Sequence, residues 1–327
     1  MNKDGTFPIA KCGRKAVVTE QNLPEADPTA VPTGSKWIAG ISPGEPVCAV
    51  AGRVLGARLK AVCRFLPLAA EKSDEDVEHV HQLRISVRRS VEAIRIFSGL
   101  MEEAEVIALQ DRLRRIRLAA DEARNWDVLC ERFSQGSCIT SKIVEQIKAR
   151  RKEAQGPIVA VYHEIVDGAF ETKIEKLVQE FESHCRGGEK FGREAYRFLR
   201  PVVKKFFRAA ESDLTADESF HRLRIRTKKL RYTMEIVAFA FDSAFRKKLY
   251  PQVTLFQDLL GTVNDHATAK MLFQDWLSKS EDTEQKAFFE GLLLAEERAS
   301  MDLRAAFLAT WTSKVVSDLK KKFLVYC

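Results

Sequence analysis

A nine-residue pattern that occurs twice in this 327-residue chain constrains its fold more than any other feature of the sequence. Residues 81–89 read HQLRISVRR and residues 221–229 read HRLRIRTKK, so both copies fit H-x-L-R-I-x-x-[RK]-[RK] at an offset of 140 residues. Three basic residues upstream keep the same offset, where Arg53, Lys60 and Arg64 correspond to Arg193, Arg200 and Lys204. An offset that holds across several segments without a gap predicts an internal duplication, with units at 47–186 and 187–327.

Residues 47–327 have the sequence pattern of helices. They contain only four of the ten prolines, their apolar residues recur at spacings of three and four, and alternating strand patterns are absent. The pattern predicts an all-α protein. It predicts separate helices over 102–120 and 124–134, over 139–155 and 158–185, and over 245–261 and 265–279.

The net charge of +7 is distributed unevenly along the chain. Residues 1–46 hold six prolines and carry five basic against five acidic residues, so they contribute no net charge and are expected to form a flexible tail. Residues 47–186 contribute +1 (23 basic minus 22 acidic), and residues 187–327 contribute +6 (25 minus 19). We therefore expect the second unit to dominate the binding of an anion.

The seven cysteines, an odd number with no C-x-x-C spacing, argue against a disulfide framework and against a zinc site. No apolar run reaches the roughly 18 residues that a membrane span needs. The N-terminus has no signal-peptide core. We expect a soluble, cytoplasmic protein that needs no metal or cofactor.

Each copy of the repeated pattern predicts a helix with a packed side and a cationic side. At 100° per residue, four side chains of the second copy fall within roughly 80° of His221, namely Arg224, Lys228, Arg231 and Tyr232. The first copy is similar, because His81, Arg84 and Arg88 share one face.

Further basic residues extend these faces, and the helix before the second copy carries cations at positions 193, 197, 200 and 204. Like charges at this spacing repel by a few tenths of a kcal/mol per pair. A polyanion bound along them would remove that repulsion and release counterions. The candidate anion-binding residues are Arg53, Lys60, Arg64, His81, Arg84, Arg88, Arg89, Arg193, Arg197, Arg200, Lys204, His221, Arg224, Lys228, Lys229, Arg231 and Tyr232.

These residues resemble the CHAD family, the conserved histidine α-helical domain. The resemblance is carried by His81-x-Leu83-Arg84 with Arg88-Arg89, by His221-x-Leu223-Arg224 with Lys228-Lys229-Leu230-Arg231-Tyr232, and by the segments 124–129 and 260–265. It covers about residues 47–310. It implies two tandem four-helix-bundle units with long antiparallel helices, related by a pseudo-twofold axis.

The resemblance also implies a function, which is non-catalytic binding of inorganic polyphosphate by basic faces that the two units share, with targeting to polyphosphate granules. His81 and His221 would donate hydrogen bonds to phosphate, and because a polyanion favours the protonated ring, affinity should rise as the pH falls. Some members carry a triphosphate-tunnel (CYTH) domain with an E-x-E-x-K strand, a motif absent here, so a stand-alone module is expected. Asn125 stands where members usually have aspartate.

Two other functions stay open at this point. Basic helical surfaces also bind DNA or RNA without sequence preference, although Tyr232 is the only aromatic residue on such a face. A metal-dependent phosphate-processing enzyme would need ligands such as Asp127, Asp265 and His266. Helix capping is the more ordinary role for the two aspartates, and no metal-binding or catalytic motif is present.

Overall fold

The structure, a computed structural model, describes residues 34–134, 141–167, 169–184 and 187–327. Within these ranges it contains α-helices, short 3-10 and π-helical turns and one isolated antiparallel bridge, so the predicted all-α class is confirmed. The helices are α1 (Val47–Glu71), α2 (Glu78–Phe97), α3 (Glu103–Ser134), α4 (Ser141–Asp167), α5 (Phe170–His184), α6 (Phe191–Ala210), α7 (Asp217–Val237), α8 (Tyr250–Lys279), α9 (Thr283–Thr310) and α10 (Ser313–Phe323).

The order of helices is the same in the two halves of the chain. In the first half α1 packs on α2, α2 on α3 and α3 on α4, and in the second half α6 packs on α7, α7 on α8 and α8 on α9. A short 3-10 turn follows α2 at Ser98–Leu100 and α7 at Ala238–Ala240. Each half has a fifth, shorter helix in addition to the four that were expected. The internal duplication stays a prediction that this parallel order supports.

Three predicted helix breaks are wrong. Helices α3, α4 and α8 each run without interruption through the positions at Asn125, Pro157 and Asn264. A proline inside a helix removes one backbone hydrogen bond. The helix continues past Pro157 because its neighbours Ala154 and Ile158 are buried, and tertiary packing outweighs local propensity.

The apolar core forms two clusters that do not follow the predicted boundary at 186–187. One cluster contains the buried residues of α1–α5 and also takes in Phe273 of α8 and Phe289 of α9. The other contains the buried residues of α6, α7 and α10 with the first part of α8 and the end of α9. The Trp126 and Trp276 rings stack with centroids 5.4 Å apart where α3 meets the far end of α8. The second half of α8 therefore packs into the core of the first half of the chain.

Two further expectations concern the cysteines and the membrane. Cys48 is disulfide-bonded, whereas Cys63, Cys130 and Cys327 are free, so the argument against disulfides does not hold at Cys48. Along the described part of the chain, none of the helices combines the length and the apolar character that crossing a bilayer requires. The predicted tail lies largely outside the described residues, which begin at Gly34.

Candidate anion-binding site

Four basic side chains come together where α2 packs on α7. Arg84 and Arg88 lie one turn apart on α2, and Arg224 and Lys228 lie one turn apart on α7, so each pair projects from one helix face. Burial, together with repulsion from the two α2 arginines and from Arg224, lowers the pKa of Lys228 to about 7, against a smaller opposing effect of Asp265 on α8. The cluster is therefore a concentration of positive charge in a half-buried setting.

Arg84 and Arg88, the basic pair in the first half of the chain, share one carboxylate. Arg84 Nε donates to Asp121 Oδ1 at 2.8 Å, and Arg88 Nη2 donates to the same oxygen at 3.2 Å. Burial and then repulsion from Arg88 lower the pKa of Arg84 to about 10, whereas Asp121 acts to raise it. The side chains of Arg84 and Arg88 are 18% and 26% exposed to solvent, so both remain accessible to a ligand.

The second-half pair has no such partner. Among the described residues, neither Arg224 nor Lys228 forms an ion pair, and Arg224 Nε is buried without a hydrogen-bond acceptor. Burial lowers the pKa of Arg224, and Asp265 partly offsets that effect. A buried donor without an acceptor costs free energy, so an anion placed here would satisfy it.

Two predicted residues, Arg89 and Arg231, lie in the interior instead of on the binding face. Arg89 Nε donates to Glu235 Oε2 at 2.7 Å, and Arg231 Nη1 lies 3.5 Å from Glu235 Oε1. Tyr250 donates to the same carboxylate at 2.7 Å, and Arg58 Nη2 lies 3.8 Å from it. These side chains surround one buried glutamate at the α2–α7 crossing, and its charge is neutralised there. The assignment of Arg89 and Arg231 as polyphosphate ligands is therefore corrected.

Tyr232 is also removed from the candidate set. Only 7% of it is exposed, and its ring lies under the Arg231 guanidinium at 4.6 Å. His221 and Lys229 are exposed and His81 is partly exposed, so these three stay at the surface of the same two helices.

The basic stripes on α1 and α6 face solvent, and three of their arginines already have acidic partners. Arg53 pairs with Glu45 at 2.8 Å, Arg193 with Glu189 at 3.1 Å and Arg197 with Glu194 at 2.7 Å. The remaining members of these stripes are exposed, namely Lys60, Arg64, Arg200 and Lys204. The α2–α7 cluster is the better-defined site, because its four cations act on one another and only one carboxylate among the described residues is ion-paired with them.

Three charged residues that act on the cluster were not predicted from the sequence as part of the site. Asp121 and Arg124 on α3 both act on Arg84, and Asp265 on α8 acts on Arg224 and Lys228. Arg124 and Asp265 lie in the segments that carried the family resemblance, which was the available signal. Asp121 is 37 residues from Arg84 and belongs to no motif, so only the packing of α3 on α2 reveals it.

The aspartates proposed as helix caps are interior residues of long helices. Asp127 lies within α3, is fully buried and accepts from Arg151 Nε at 2.7 Å, and Asp265 lies within α8. The capping interpretation is therefore wrong. Over the described ranges, no three or more His, Cys, Asp and Glu side chains are grouped closely enough to hold a metal ion.

The sequence matches the model of a known protein family. Residues 53–274 match the family described as the CHAD domain, which is about two thirds of the chain. The chain belongs to the CHAD domain family. The match begins within α1 and ends within α8, so it contains the whole α2–α7 cluster of this CHAD domain. No match to a CYTH domain accompanies it.

Two solved structures share the fold. The crystal structure of the CHAD domain from the plant Ricinus communis has 22% sequence identity and a TM-score of 0.66, and the match covers 84% of this chain and 96% of that one. PptA from Streptomyces chartreusis has 16% identity and a TM-score of 0.56, with 80% and 98% covered. At this identity the likeness establishes the fold alone. No curated protein matches the chain.

Asn125, where this CHAD domain departs from the family, borders a cavity. Asn125 lines a cavity of about 290 Å³ between α3, α4 and α8, together with Trp126 and Trp276. At the corresponding position of the second half, Asp265 acts on Arg224 and Lys228.

Proposed function

We propose that this CHAD protein binds inorganic polyphosphate, without turning it over, through the cluster of Arg84, Arg88, Arg224 and Lys228. The observation that carries the proposal is the surplus of positive charge at the α2–α7 contact, where four cations share one ion-paired carboxylate. The family is commonly linked to polyphosphate binding, which supports the same ligand class.

The chemistry of the ligand suits this surface. Polyphosphate carries about one negative charge per internal phosphate and has no bases, so a receptor needs closely spaced donors on a rigid frame. Arginine can bind phosphate oxygens with two parallel hydrogen bonds, and lysine supplies a point charge. Because the four side chains project from two packed helices, binding requires no ordering of a loop.

A nucleic acid is the second candidate ligand, and the surroundings of Tyr232 argue against it. Proteins that bind single strands without sequence preference stack bases on exposed aromatic rings. The one aromatic residue predicted on a basic face is buried under Arg231. If short DNA displaces polyphosphate at equal phosphate concentration, the nucleic-acid reading is preferred.

The test compares polyphosphate binding by the wild type and by Arg224→Ala/Lys228→Ala. The matched control is Arg222→Ala/Arg226→Ala, which removes two cations at the same spacing from the opposite face of α7. We expect the first double variant to lose at least about tenfold in affinity. The slope of log affinity against log salt should also become shallower in that variant, because fewer counterions are released.

An equal loss in both double variants would indicate nonspecific attraction by net charge and would refute the site. Catalysis is tested separately by phosphate release from polyphosphate in the presence of a divalent metal, for which we expect no release. Association with polyphosphate granules in the cytoplasm would follow from binding, and the same Arg224→Ala/Lys228→Ala variant should lose it.

A further inference from the structure

The two halves of the cation cluster differ in their acidic residues. At the offset of 140 residues, Arg84 corresponds to Arg224 and Arg88 to Lys228, so the basic pair is present in both halves. The residue that corresponds to Asp121 is Gly261. The carboxylate at the position of Asp121 is therefore missing from the second half, where Asp265, one turn further along α8, acts on Arg224 and Lys228 instead.

Asp121 accepts hydrogen bonds from Arg84 and Arg88 in the way that a phosphate oxygen would. One of its carboxylate oxygens accepts from both guanidinium groups, at 2.8 Å from Arg84 Nε and 3.2 Å from Arg88 Nη2. Its side chain is 33% exposed, so this ion pair lies at the surface where a ligand would arrive. A ligand that binds Arg84 and Arg88 must compete with Asp121.

Gly261 leaves open space on the second-half side. It lies inside α8, which packs on α7, and a Cβ atom built there would meet no other group within 4 Å. A glycine inside a helix costs roughly 0.5–1 kcal/mol relative to alanine. Neither a close contact nor a left-handed backbone requires glycine here, so the missing side chain leaves open space at the α8 position that corresponds to Asp121.

We propose that Gly261 leaves Arg224 and Lys228 as an open phosphate subsite, whereas Asp121 occupies the equivalent subsite of the first half as a built-in counter-anion. This inference rests on the proposed polyphosphate function and says which half takes the ligand first. A phosphate group binds the second-half pair directly. It reaches the first-half pair only by displacing Asp121, which lowers the affinity of that half.

The experiment exchanges the acid between the two halves and measures binding of polyphosphate of one length at one salt concentration. Asp121→Asn should tighten binding between about threefold and tenfold, because two partly exposed ion pairs no longer compete with the ligand. Asp111→Asn on the exposed face of α3 makes the same change in net charge about 15 Å away along the helix and should alter affinity by less than about twofold.

The reciprocal pair is Gly261→Asp and Gly261→Asn, two side chains of nearly the same shape that differ in charge and whose Cβ atom would meet open space. Gly261→Asp should bind polyphosphate at least about threefold more weakly than Gly261→Asn. Because this comparison does not alter Asp121, it decides the inference even if Asp121→Asn proves unstable in thermal unfolding.

The outcomes separate the two proposals. If Arg224→Ala/Lys228→Ala loses binding but Asp121→Asn binds no more tightly than the wild type, or Gly261→Asp equals Gly261→Asn, the inference is overturned and the proposed function stands. If the wild type does not bind polyphosphate, both are overturned. Tighter binding by Asp121→Asn together with weaker binding by Gly261→Asp supports the inference.

Discussion

Polyphosphate binding should weaken with rising pH through the titration of Lys228. In the free protein its pKa is lowered to about 7, first by burial and then by repulsion from Arg88 and Arg84 on α2 and Arg224 on its own helix, with Asp265 on α8 acting in the opposite direction. A phosphate bound among these groups would restore the protonated amine. Binding above pH 7 must therefore take up a proton.

The size of the effect follows from that pKa. At pH 6 most of the free protein already carries the charged amine, whereas at pH 8 only about a tenth does, so affinity should fall about tenfold across this range, or about 1.4 kcal/mol. Between about pH 7 and 10 the unfolded chain holds a proton at Lys228 that the folded chain lacks. This residue therefore makes the free energy of unfolding rise with pH in that window.

Titration calorimetry at pH 8, in two buffers with different ionisation enthalpies, measures the proton uptake directly, with an expected value close to one. Lys228→Arg keeps a charge that does not titrate in this range and should abolish the uptake. A His81→Gln/His221→Gln background separates the histidine contribution expected from the sequence. If Lys228→Arg retains the tenfold pH dependence, the lysine does not control it.

Other predictions concern the frame that holds the cluster. Glu235→Ala should lower the free energy of unfolding by about 3–5 kcal/mol in denaturant titrations, since three buried arginines lose their carboxylate, whereas Tyr250→Phe should cost only about 1 kcal/mol. Gly52→Ala would place its Cβ 2.7 Å from Phe181 Cβ and should lower the melting temperature at a cost of about 1–3 kcal/mol. Gly156→Ala, also within a helix but with open space around it, should instead stabilise by about 0.5–1 kcal/mol.

The sequence could predict which basic residues of the site share one face of a single helix. Residues four apart share a face, so the pairing of Arg84 with Arg88 and of Arg224 with Lys228 follows from geometry that any helix has. The repeat then indicated that the two pairs belong together, and the structure places them on packed helices.

The errors arose where one helix crosses another. Arg231 shares the helical face of Arg224, but its guanidinium lies against the buried Glu235 and against Tyr250 of α8. Helical periodicity contains no information on how far a partner helix extends. The breaks predicted between residues 120 and 124 and between residues 261 and 265 were also wrong, because the packing of α3 and α8 carries both helices past these positions.

The common core at the far ends of α3 and α8 makes the two halves poor candidates for separate expression. A fragment ending before α6 would leave Trp126 without Trp276 against it, and a fragment beginning there would expose Phe273 and Phe289, each only 2% exposed in the whole chain. Large apolar patches of this kind promote aggregation. The two halves should therefore be recovered in soluble form only when both are produced together, so that each supplies the surface that the other lacks.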